Sequence, residues 1–253
     1  VDEFALAPLA GLTGRNVAIA VIDSGVHPTH DHIAADRLGA GAMVLPDGAV
    51  VEGEDVWLDR LGHGTAVTAA IQEKAPDALC IPVRVFRDAL KTSAAALIGA
   101  IRWAVAREVQ VINLSLGSVN AAHSDAFAAV ADEAVAAGVV IVAAHRANDA
   151  PCYPGSLAQV VGVDVDWDCP RTGYGVLRSG DAVVLRASGY PRPIPGVPAR
   201  RNLYGVSFAV AQVSGFVARA CEARPSDLTG PEAVQRVRDI LREPLSCDVA
   251  GAG

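Results

Sequence analysis

Residues 17–23 read VAIAVID, and this stretch decides the fold. Four of its six apolar residues are β-branched, and no polar residue alternates with them. A short run of this kind fits a strand covered on both faces, as in a buried parallel sheet. It stops at Asp23. A carboxylate just beyond the end of a central parallel strand stands where open α/β sheets gather their ligand chemistry, although with Ser24 and Gly25 it also reads as the cap of a turn.

Outward from this strand the hydrophobic period alternates. Leu79–Phe86 reads as a strand, and Ser93–Arg107 as an amphipathic helix with Leu97, Ile98, Ile101 and Val105 on one face. Val109–Leu114 is a strand, Asp125–Ala137 a helix and Val139–Ala144 a buried strand, with shorter strands over Ala158–Val163 and Ala182–Leu185. The passage 45–58 reads as a hairpin turning at Asp47 and Gly48. Tyr190–Arg201 is a Pro- and Arg-rich loop, and TGPE at 229–232 reads as a capping box opening a helix through Leu241. Strands and helices alternating at this spacing predict an α/β fold: a doubly wound, mostly parallel sheet with helices on both faces. Neither an internal repeat nor a linker divides the chain, so one domain is expected over 1–253.

Composition excludes several classes. Of 253 residues, 51% are hydrophobic and 19% charged, which suits a compact core and not a disordered chain. A net charge of −7 without a long Lys/Arg run argues against nucleic acid or an anionic membrane as a partner. The longest apolar candidate, 127–144, is broken by Asp132 and Glu133, so no membrane-spanning helix is expected. The start, VDEFALAPLAGL, has no basic region ahead of an apolar core. A cytoplasmic monomer is expected, with secretion the alternative if a signal and prosegment precede Val1. Five cysteines without a CxxC pair suggest free thiols, with a Cys152–Cys169 bridge as the alternative for an exported chain.

Three stretches carry candidate chemistry. NLYGVSFAVAQVSG at 202–215 places Ser207 after Gly205 at the start of an apolar run. A serine at a helix N-terminus lies beside N–H groups able to hold an oxyanion, and it also reads as an ordinary cap. LGHGTAVTAAI at 61–71 places His63 on a glycine-flanked loop, with Thr65 positioned to cap a helix over Ala66–Gln72. Asp23, His63 and Ser207 occur in one of the chain orders known to build a single triad geometry. The chemical need is that a serine hydroxyl attacks a carbonyl usefully only when a neighbour takes its proton. VHPTHDHI at 26–33 brings His27, His30 and His32 together, but their spacing matches no helical zinc motif, so a polar surface loop is expected. Asp164, Asp166 and Asp168 lack the Gly and Glu of a calcium loop and read as a solvated edge. No metal and no cofactor are expected.

VIDSG at 21–25, GHGT at 62–65, INLSLG at 112–117, YPGS at 153–156 and GVSFA at 205–209 together resemble the subtilisin-like serine peptidases, the subtilases, over roughly residues 15–243. The resemblance implies Ser207 as nucleophile, His63 as general base and then acid, and Asp23 as the group orienting the imidazole. It implies that Ser115, Leu116 and Gly117 pair with an extended substrate and wall its specificity pocket, with Lys91 and Thr92 on the opposing substrate-binding strand. Recognition would be strand addition by a peptide or unfolded protein. The sequence departs from the family at AAHRAND, 143–149, where Ala147 and not Asn148 is in register with the usual oxyanion asparagine. Asn148 therefore reaches the site only if one residue is inserted. His145 and Arg146 replace small residues and suggest a polar or narrowed pocket admitting acidic or small side chains. His32 stands where relatives carry a calcium-ligating Asp, so no tight calcium site of that type is expected. The implied activity is a serine endopeptidase, with dedicated processing of a peptide precursor as one form of it; a peptide-binding module and a peptide ligase or macrocyclase are the alternatives.

Overall fold

The computed structural model describes residues 4–6, 9–179, 182–198 and 201–243. In chain order its strands begin with β1 (Phe4–Leu6), β2 (Ala18–Asp23), β3 (Ala42–Val44), β4 (Val50–Glu52), β5 (Leu79–Arg84) and β6 (Val111–Leu114). They continue as β7 (Val140–Ala144), β8 (Arg146–Ala147), β9 (Ala150–Pro151), β10 (Val161–Val165), β11 (Gly173–Ser179) and β12 (Ala182–Ala187). The helices are α1 (His63–Lys74), α2 (Ala94–Ala106), α3 (Ser124–Ala136), α4 (Val206–Ala223) and α5 (Gly230–Arg242). Ten strands form one sheet in the order β1-β11-β12-β10-β7-β6-β2-β5-β3-β4. The central stretch from β3 to β12 is parallel throughout, and antiparallel strands close both edges.

The alternation along β2 explains the two layers. Ile19 and Val21 pack with α1, α4 and α5 on one face, while Ala20 and Ile22 pack with α2 and α3 on the other. Successive strand residues point to opposite faces, and here both faces are covered. From β2 the chain adds β5 on one side, then crosses to add β6 on the other. The winding direction reverses at β2, and Asp23 ends that strand. Doubly wound sheets form their crevice at such a switch point.

The sheet and its helices match the sequence reading, with local corrections. The α1 helix starts at His63, and Thr65 lies inside it instead of capping it. The strand expected from Ala158 starts at Val161, because Val160 closes a turn on Leu157. The antiparallel β11 and β1 were not expected. Thr229 stands at the α5 N-cap, but its side chain makes no capping hydrogen bond. Cys80, Cys152, Cys169 and Cys221 are buried free thiols, so no Cys152–Cys169 bridge forms; Cys247 lies outside the described residues. Burial pushes the Cys80 and Cys221 thiols up to about 12, which suits packing and not reactivity. No helix among the described residues is long and apolar enough to cross a membrane.

Candidate active site

Asp23 is wholly buried at the end of β2, and its Oδ1 accepts a 2.7 Å hydrogen bond from His63 Nδ1 and another from the Ser24 amide. Its Oδ2 is buried without a partner among the described residues, which leaves the imidazole as the main group able to neutralise the carboxylate. Glycine allows the two loops to touch. The Gly64 amide donates to Ser24 Oγ at 2.8 Å, and a Cβ on Gly64 would lie 2.2 Å from the Gly25 carbonyl oxygen. This contact seats His63 on Asp23. Burial pulls the His63 pKa down, but the hydrogen bond and charge of Asp23, with the charge of Asp59, outweigh it and raise it.

Asp59 went unnoticed in the sequence. It is buried, and its Oδ1 accepts from the amides of Leu61 and Gly62 while Oδ2 accepts from the amide and hydroxyl of Thr65. Gly62 at φ +80 turns the chain into the helix. The carboxylate thus does what Thr65 was expected to do, and it faces the positive end of the helix dipole. Burial disfavours its charge, yet the bonds from Thr65, Leu61 and Ser24 prevail and hold its pKa below the ordinary value. The local signal was an Asp shortly before a Gly-His-Gly helix start.

Ser207 is the second residue of α4. Gly205, at φ +150, turns the chain sharply into the helix, and no side chain caps it, leaving early helix N–H groups without intrahelical acceptors. Ser207 Oγ donates to the Ser115 carbonyl at 3.1 Å, and no hydrogen bond joins it to His63 among the described residues. The neighbouring Phe208 ring packs against the His63 ring, centroids 5.6 Å apart. Behind Ser115 lies a buried chain in which Asn113 Nδ2 donates to Ser115 Oγ and Ser214 Oγ donates to Asn113 Oδ1. This ties the end of β6 to α4, and neither Asn113 nor Ser214 was singled out from sequence.

The expected subsites are placed unevenly. Ser115, Leu116 and Gly117 continue past the last rung of β6, and Ser118 then pairs with Tyr153. Gly117 packs against Tyr153 and Cys152 so closely that a Cβ would lie 2.6 Å from the Cys152 sulfur. Lys91 and Thr92 lie in an irregular segment before α2 and belong to no strand. Asn148 and Asp149, at φ +49 and +61, form the tip of a two-residue hairpin between β8 and β9. Positive φ at both positions is the turn that Asn and Asp tolerate best after glycine. Asn148 and Arg146 line a cavity of about 540 Å³ together with Val206 and Asp164, so the hairpin faces the residue preceding Ser207. His145 is held by Asp164 at 3.2 Å. His27 and His30 are exposed on a polar surface loop, as expected, and with His32 they line a separate cavity. Among the described residues no group of three His, Cys, Asp or Glu side chains is placed to hold a metal ion.

The family model described as "Subtilase family" matches residues 14–164. The chain belongs to the subtilase family. This subtilase is 32% identical over 233 residues to Subtilisin NAT of Bacillus subtilis subsp. natto, spanning 85% of the chain and 58% of that protein. It is 28% identical to Subtilisin-like protease SBT6.1 of Arabidopsis thaliana, over 89% of the chain and 23% of that protein. The chain therefore spans from about a quarter to somewhat over half of the length of these curated relatives. Among solved structures, one titled as a lanthipeptide protease superposes with a TM-score of 0.67 at 21% identity, covering 90% of this chain and 79% of that one. Sphericase superposes with a TM-score of 0.66 at 22% identity, covering 90% and 83%. At these identities the likeness is one of fold.

Proposed function

We propose that this subtilase is a serine endopeptidase that cleaves a peptide or a flexible protein segment through an acyl-enzyme. The observation that carries the reading is the 2.7 Å bond between buried Asp23 and His63 Nδ1, at the sheet's switch point and beside the helix that bears Ser207. With Nδ1 donating to Asp23, Nε2 is left as the acceptor that takes the Ser207 proton on attack and returns it to the leaving amine. The reading requires Ser207 Oγ to exchange the Ser115 carbonyl for His63 Nε2, a side-chain rotation. The tetrahedral oxyanion would be met by the Ser207 N–H at the open end of α4 and by the Asn148 amide from the hairpin tip.

Substrate would lie along Ser115–Gly117, with Lys91 and Thr92 opposite, and acquire strand pairing on binding. A peptide-binding module without hydrolysis is the second reading, favoured by the Ser207–Ser115 bond. New N-termini generated from an unfolded protein by the wild-type chain, and absent with Ser207→Ala, are the expected result. Peptide capture by both proteins with no cleavage by either would favour the binding module.

A further inference from the structure

The molecule carries a second feature that the proposed chemistry does not use. A cavity of about 370 Å³ opens between the loop before His63 and the loop before Ser207, since Gly62 and Leu203 both line it. Ala66 and Ala69 of α1 form an apolar part of its wall, and Arg60, Arg192, His27, His30 and His32 also line it. Neither guanidinium has an anionic partner: no salt bridge of Arg60 or Arg192 to another described residue is formed. The one carboxylate in the wall is Asp59, whose two oxygens already accept four hydrogen bonds from Leu61, Gly62 and Thr65. Asp31 and Glu73 act on His32 from nearby, but Glu73 is itself paired with Arg171 and Lys74.

Arg192 is also held in place. Its Nη1 donates to the His32 carbonyl at 3.1 Å, and its own carbonyl accepts from Asn202 at 3.4 Å. The histidines do not converge as metal ligands. His30 and His32 pack edge to face with ring centroids 5.3 Å apart, and His30 Nδ1 accepts from the His32 amide. What remains is a concave site with two permanent cations that form no salt bridge among the described residues, and a partly apolar wall. A planar carboxylate on a short aliphatic stem matches both features, because a guanidinium binds it with two parallel hydrogen bonds.

We propose that this cavity binds a carboxylate of the peptide substrate, an acidic side chain or a free C-terminus within a few residues of the scissile bond. The inference rests on the peptide-cleavage reading for its setting, but the test separates the two. Fluorescent peptides differing by Glu against Gln at each position, and by a free against an amidated C-terminus, are titrated into Ser207→Ala and their Kd compared. In parallel, the wild type is assayed for cleavage of the same peptides.

The expected result is a preference of about tenfold for the carboxylate form, the size of one charge-assisted hydrogen bond. The preference should vanish in Arg60→Gln and reverse toward the neutral form in Arg60→Glu. Arg60 is exposed and makes no hydrogen bond among the described residues, so these variants should melt with the parent, and Arg192→Gln gives an independent second reading. If the preference lies in the Glu/Gln arm the ligand is a side chain; if in the terminal arm, the C-terminus. Equal Kd for every charged and neutral pair, or a preference unchanged in both Arg60 variants, overturns the inference even where cleavage is seen. A carboxylate preference without cleavage upholds the cavity's role and overturns hydrolysis.

Discussion

Replacing Asp59 by Asn changes one atom and should nonetheless cost the protein much of its stability. All four partners of this side chain donate: the amides of Leu61 and Gly62 to Oδ1, and the amide and hydroxyl of Thr65 to Oδ2. The Thr65 hydroxyl is further fixed as the acceptor of the His27 amide. An asparagine therefore places its NH2 against donors whichever way it is flipped. Two bonds to a charged acceptor are lost, each contributing about 1.5–3 kcal/mol, so the expected cost is about 3–6 kcal/mol. For a chain of this size, at about 2–4 °C per kcal/mol, that corresponds to a fall in Tm of about 6–24 °C, read by calorimetry. There is a second check in pH. A carboxyl whose folded pKa is depressed stabilises above its unfolded value, and the contribution is lost as pH falls through the folded value. The gap between wild type and variant should therefore narrow on acidification. A variant melting with the wild type at neutral pH would refute the assignment of Asp59 as the group that holds the start of α1.

Further outcomes follow from the same geometry. Since His63 must be neutral to act as base and its pKa is raised, the acidic limb of kcat/KM should fall above the ordinary imidazole value of 6.5 and move down in Asp23→Asn; a wild-type midpoint below 6.5 contradicts this. The same upward shift makes the charged His63–Asp23 pair a stabilising contribution below that value, lost as pH rises through the folded pKa. Asn148→Gly keeps the positive φ of the hairpin tip while deleting the amide. If that amide meets the oxyanion, kcat should fall by about 100- to 1,000-fold, the range known for the oxyanion-hole asparagine of subtilisin, with KM little changed; an unaltered kcat removes Asn148 from the chemistry. Dialysis against a chelator should leave Tm unchanged, because the His32 carbonyl is taken by Arg192 and its ring packs on His30; a loss of many degrees would reveal a metal site.

The sheet was legible because buried strands announce themselves: VAIAVI has no polar residue to place on a solvent face, and the intervening helices carry a 3.6-residue period. The pairing of Asp23 with His63 was readable from two glycine-bounded loops. Asp59 was harder to read, because the carboxylate acts through four donors brought together by the turn at Gly62, and its one local signal, an Asp shortly before Gly-His-Gly, does not mark it as buried. Asn148 looked displaced by one residue; in the structure it stands at the tip of a hairpin that needs two positive-φ residues, a turn the local sequence does not announce. The histidine cluster read as a surface loop and is one, but the cavity it lines could not be seen, since that is completed by Arg192 and Leu203, some 160 residues further along the chain. Such long-range assembly leaves no local period.

The central claim is that Asp23 and His63 activate Ser207. The most direct measurement is reaction of the purified chain with a fluorophosphonate, followed by mass spectrometry of its peptides. The account predicts one adduct, on Ser207, absent in Ser207→Ala and strongly slowed in His63→Ala. A folded wild-type chain that takes up no probe, or labels elsewhere with Ser207 untouched, would contradict it.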